Sequence, residues 1–154
     1  MADTRCQAEC EDWVRQEWMP SEFEQSFRRD RVRLTSGGFY AFDAVSEDGH
    51  MLATISTSGA KMSGGKRASG KVMKLRSDML FLSLASPKRA AIILTERDMF
   101  DLAQKEKDAG RVPQIIEFHH APLPPDLAAR LKLARKASSD EVSPRRDSDG
   151  MTSE

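Results

Sequence analysis

A chain of 154 residues, 39% hydrophobic and 31% charged, is long enough to bury a core that needs neither disulfides nor a structural metal. Two cysteines exclude a disulfide framework. No apolar run approaches the roughly 18 residues of a membrane span, and the first residues lack a secretory pattern, so a reduced, cytoplasmic protein with no membrane partner is expected. Lys+Arg and Asp+Glu balance at 24 each, but the balance is uneven along the chain: residues 61–90 carry eight basic groups against Asp78 alone, between acidic flanks.

In chain order, Cys10, Val14 and Trp18 fall four apart, which predicts an amphipathic helix from Thr4 to Trp18, stopped at Met19-Pro20. Ser21 with Glu24 has capping-box spacing, and Phe23 and Phe27 then share a face of a second short helix. Val32 and Leu34 alternate with polar residues in a strand ending at Gly37-Gly38. Phe39 to Ser46 and Met51 to Thr57 read as the next two strands, with Asp48-Gly49 as the hairpin turn between them. Three antiparallel strands in a row follow.

Val72, Leu75 and Met79 repeat at helical spacing, and a continuous apolar run, LFLSLA, begins at Leu80. After the turn Pro87-Lys88-Arg89, Ala90 to Leu94 reads as a buried strand. Thr95 with Asp98 then starts a helix that carries Met99, Leu102 and Ala103 inward and ends at Gly110 and Pro113. Ile115 to Phe118 is the last strand, and Pro124-Pro125 opens a helix with Leu127, Leu131 and Ala134 on one side. Domain boundaries follow: one α/β domain over residues 1–137, and a polar tail over 138–154 too poor in apolar residues to repay its ordering entropy.

Helix, three-strand meander, helix, then further strands and a helix resembles the PD-(D/E)XK, or restriction-endonuclease-like, superfamily from about Ser21 to Phe118. The resemblance implies an α/β fold with a mixed sheet flanked by helices. It places Asp43, in AFDAVS, where that family's first metal-binding carboxylate stands. The acidic residue and lysine expected on the third strand fall on Thr54 and Ser56, which carry no charge. In the family two carboxylates hold a divalent cation and a lysine orients the attacking water. By resemblance, Glu22 or Glu24 from the first helices could supply the second carboxylate, and Lys66, Lys71 or Lys74 the migrated lysine, with Mg²⁺ as the cofactor of such an active form. Asp43 can equally cap a turn or pair with a lysine.

The other motifs support less. Gly59 to Arg67 looks like a phosphate-binding loop, but one residue is inserted and Arg67 replaces the hydroxyl residue, so no cofactor is firmly implied. Cys6 and Cys10 share a helix face without the further ligands of a zinc site. His119 and His120 point to opposite faces of a strand. Trp13, Trp18, Phe23 and Phe27 have the spacing of a packed stripe.

Two functions from different classes remain. The first is a nuclease-like domain, catalytically inactive, that binds nucleic acid through Lys61, Lys66, Arg67, Lys71 and Lys74, with Lys88 and Arg89. Its alternatives are a protein-interaction module whose acidic amino-terminal helices and charged tail meet a partner, or an active metal-dependent nuclease. Clustering of the basic residues beside Asp43 separates the first from the second. The type of nucleic acid and the oligomeric state are not encoded in any motif.

Overall fold

A computed structural model describes residues 4–60 and 69–137. Helix α1 (Thr4–Trp13) runs on through a π-helical turn (Val14–Trp18) into α2 (Met19–Phe23). Strands β1 (Phe27–Arg33), β2 (Phe39–Ser46) and β3 (Met51–Ser56) follow. Then come α3 (Ser69–Ala85), β4 (Arg89–Leu94), α4 (Arg97–Asp108), β5 (Ile116–His120) and α5 (residues 125–137). The described residues divide into two compact units, one within 11–122 and the other made of 4–10 with 123–137.

The larger unit is an α/β fold. Its single five-stranded sheet has the order β1-β2-β3-β4-β5, antiparallel through β3 and parallel from β3 to β5. The expected meander is therefore present, and its hairpin turn is built as the sequence suggests. Gly49 takes φ +77°, and Asp48 Oδ1 accepts from the His50 amide and the Ser46 hydroxyl. Parallel pairing of β3 to β4, and of β4 to β5, requires crossover helices, which α3 and α4 supply. Leu75, Met79 and Leu82 of α3 and Met99 and Ala103 of α4 pack on one sheet face with Phe42, Leu52, Ile92 and Leu94. Val14 and Met19 cover the other face with Ala53, Ile55 and Ile93. Burial of fully enclosed side chains such as Ile92, Leu82 and Met19 contributes about 1.5–3 kcal/mol each.

Several boundaries differ from expectation. Pro20 does not stop the first helix, because it occupies the first turn of α2, where its missing N–H is not needed. Ser21 and Glu24 form no capping box. Glu24 instead ends the helix in the left-handed conformation at φ +56°, its amide bonded to the Pro20 carbonyl. Phe27 consequently begins β1 rather than continuing a helix, and it meets Phe23 edge to face across that turn. The apolar run from Leu80 continues α3 to Ala85, its residues divided between core and surface. Thr95 does not cap α4. The N-cap residue is Glu96, and the Thr95 hydroxyl donates to the Glu96 carboxylate.

In the smaller unit, Leu123, Leu127, Leu131 and Ala134 pack with Cys6 and Cys10, both buried and neither in a disulfide. Packing is thus the observed role of the cysteines. Arg130 of α5 donates to Glu9 at 2.6 Å. The expected tail, with Lys61, Lys66 and Arg67, lies outside the described residues. Among the described residues no helix is long and apolar enough to cross a membrane.

Candidate functional site

Asp43 stands where β2 is irregular. Between the pairs Arg28 with Val45 and Asp30 with Phe42, β2 carries two residues, Asp43 and Ala44, opposite Arg29 alone. Such a bulge bends the strand and re-aims a side chain. Ladder pairing of β2 with β3 is confined to Ala44 with Ala53 and Val45 with Leu52. Beyond them the Asp43 carboxylate takes over: Oδ2 accepts from the Ile55 amide at 2.8 Å. On its other side the Asp43 carbonyl accepts from Arg15 Nε at 2.6 Å, and Arg15, only 7% exposed, also donates to Asp12 at 2.7 Å.

Charged groups from both helical layers converge on this point. Burial pushes the Glu11 carboxyl above its ordinary pKa, and the charge of Asp43 pushes the same way against Arg29 and Arg15. From the opposite layer, Lys74 Nζ of α3 donates to Asp78 Oδ1 at 2.6 Å. Burial raises the pKa of Asp78 more than the Lys74 hydrogen bond and charge lower it, and Asp43 adds to the rise. Desolvation acts to lower Lys74, yet its bond to Asp78, with the charges of Asp78, Tyr40 and Asp43, brings it net upward. Both directions follow from one geometry, in which the carboxylate is enclosed and the ammonium is mostly exposed. The proton stays on Lys74.

Thr54 precedes Ile55, whose amide Asp43 holds, and pairs with Ile92 of β4. Its hydroxyl lies near enough to Asp78 to help lower that carboxyl's pKa, but it falls short of hydrogen-bond geometry, so Oγ1 is buried without a partner. Next to this cluster, at the carboxyl ends of β3 and β4, opens a cleft of about 230 Å³. Ser56, Ser58, Gly70, Lys71, Lys74 and Asp78 give it a polar rim over Leu75, Ile92, Leu94 and Met99.

Of the residues singled out by sequence, Asp43, Lys71 and Lys74 are brought to this sheet edge, the two lysines on the cleft. Glu22 and Glu24 are exposed on and just after α2. The first-helix carboxylate coupled to Asp43 is Glu11. Glu11 adjoins the buried Cys10–Val14 stripe, and Lys74 and Asp78 stand at i,i+4, so both had readable signals. His119 faces Trp18 and Phe23, whereas His120 faces Phe100 from the other side of the sheet.

A catalytic divalent cation requires converging carboxylates. Among the described residues no group of three His, Cys, Asp or Glu side chains is placed to hold one. Asp78 is committed to Lys74, one Asp43 oxygen to Ile55, and Thr54 offers a neutral hydroxyl. These residues do not fit the two-carboxylate metal site of an active nuclease. Comparison of the chain with protein-family models, curated proteins and solved structures gives no match.

Proposed function

We propose that the domain binds nucleic acid by its phosphate backbone, without cleaving it, at the cleft beside Asp43. The observation that carries this reading is the grouping of Lys71 and Lys74 on one rim of that cleft, next to the Asp43 cluster. Three general features support it. The cleft lies outside the carboxyl ends of parallel strands, where α/β sheets commonly receive ligands. Gly70, near the start of α3, lies on the same rim, where a residue without a side chain lets backbone approach a phosphate. The order of helix, antiparallel meander, crossover helix and parallel strand resembles the restriction-endonuclease-like architecture, whose members act on nucleic acid.

In this reading Lys71 and Lys74 neutralise phosphate oxygens, and Ser56 and Ser58 offer hydroxyls to the same groups. Asp78 keeps Lys74 protonated and aimed. Asp43 and Arg15 act on the protein's own backbone, holding β2 and β3 in register at the edge of the site.

Fluorescence anisotropy of labelled single- and double-stranded DNA, with Mg²⁺ present and the probe inspected for cleavage, tests the proposal. Binding should weaken steeply with salt, and Lys71→Ala/Lys74→Ala should reduce the salt slope by about 1.4–1.8, or 0.7–0.9 per lost phosphate contact. No binding at 50 mM salt overturns the reading; cleavage of the probe overturns its non-catalytic part.

A further inference from the structure

On β1 every second residue from position 29 is an arginine. Arg29, Arg31 and Arg33 are all exposed, at a spacing of about 6.6–6.8 Å along the strand. Cross-strand pairing fixes which face they occupy. Val32 and Asp30 lie opposite Tyr40 and Phe42, on the side where Tyr40 stacks on Phe81 of α3. Arg31 and Arg33 lie opposite Ala41 and Phe39, on the other side. That second face is covered at the Phe27 end by Trp18 and Phe23 and is open at the Phe39 end. There Phe39 is 56% exposed, and the Arg31 guanidinium lies over its ring at 5.0 Å.

An edge strand rich in charge has a simpler use, which is to discourage pairing with another chain. That use does not account for the distribution. On the α3 side Arg28 and Asp30 cancel as an ion pair at 3.1 Å, while the opposite row has one sign only. Arg31 and Arg33 form no ion pair among the described residues. A guard strand also has no need of an exposed phenylalanine held under a guanidinium.

We infer that this open sheet face binds a single-stranded nucleic acid, with phosphates on Arg31 and Arg33 and a base stacked on Phe39. The charge is complementary to a polyanion, and the two-residue step along β1 is close to the phosphate step of an extended single strand. An exposed ring beside a cation is the arrangement that stacks unpaired bases. A duplex presents no free base face to Phe39. Antiparallel pairing puts Arg33 and Phe39 at the same end of the sheet as the carboxyl ends of β3 and β4, on the face opposite the cleft. The inference rests on the nucleic-acid reading and adds to it a second surface and a preference for single strands.

The test is anisotropy with a labelled oligo(dT) and a duplex of equal length, using Arg31→Ala/Arg33→Ala, Phe39→Ala and, as a control, Lys71→Ala/Lys74→Ala. Arg31, Arg33, Phe39 and Lys74 are exposed and Lys71 is half-buried, and circular dichroism checks the fold of each variant. The arginine pair should lower the single-strand salt slope by about 1.4. Phe39→Ala should weaken oligo(dT) about tenfold and leave the duplex within twofold. If wild type binds oligo(dT) and only the lysine variant is impaired, this inference fails and the cleft reading stands. If the arginine pair matters but Phe39→Ala does not, the face meets a polyanion without base stacking and the single-strand assignment is overturned. If wild type binds nothing, both readings fail together.

Discussion

Asp43 was legible as the functional candidate of its strand, because a lone acid in an otherwise apolar segment before a turn stands out. What it does locally was not. A bulge is a property of strand pairing, and neither the extra residue in β2 nor the Ile55 amide that it leaves to a carboxylate is visible in one strand's sequence. This makes a residue-level prediction. Asp43→Ala leaves a buried amide unsatisfied and should lower unfolding stability by about 1–3 kcal/mol, whereas Asp43→Asn keeps an acceptor and should cost less than half as much. Urea titration compares them. Equal stability of wild type and Asp43→Ala would show that the carboxylate is not a structural clasp. Glu11 differs in part: its place beside the Cys10–Val14 stripe is readable in the sequence, but that its carboxyl feels the charge of Asp43 shows only in the folded chain.

At the scale of elements, the order of the strands and the Asp48-Gly49 turn were legible, because alternation and turn chemistry act locally. The end of the helical entry was not, and with it the start of β1 at Phe27, which the sequence reads as helix. The period of that helical entry changes at Val14–Trp18, where the Met19 amide bonds to the Val14 carbonyl five residues back and the backbone widens by one residue. The spacing of Cys10, Val14 and Trp18 carries the expected helix through that turn, and it is the following proline that reads as its end. The π turn takes up one residue without changing which face follows it, because five π-helical steps turn the chain about as far as four α-helical ones. Deleting Gln16, which is exposed, should therefore convert the turn to α-helix and keep Met19 in its buried site, with stability within about 1 kcal/mol of wild type by guanidinium denaturation. A loss of about 2 kcal/mol or more, comparable to emptying a methionine site, would show that the widened turn is itself required.

For the whole molecule, zero net charge hides groups that titrate in opposite senses. The Arg89 hydrogen bond holds Glu117 below its ordinary pKa of 4.5, against burial and with help from His119. A carboxyl lowered in the folded state contributes stability that is complete above 4.5 and is lost as pH falls through the folded value. Glu11 behaves in reverse: burial raises it, so folded protein holds its proton longer and loses relative stability as pH rises from 4.5 through the raised value. Between acid and neutral pH, Glu11→Gln should therefore gain on wild type and Glu117→Gln should lose. Thermal unfolding across that range checks both signs, and parallel profiles would refute the assignment.

The clasp at Asp43 also bears on how lineages of such folds are read. If the sheet needs this aspartate to close the gap between two strands, selection for folding alone preserves it, whatever the domain binds. Substitution would then be tolerated at Thr54 and Ser56, which lie in regular ladder, long before it is tolerated at Asp43. An aspartate kept at this place in such a sheet is therefore evidence of a structural need, and by itself says nothing of chemistry.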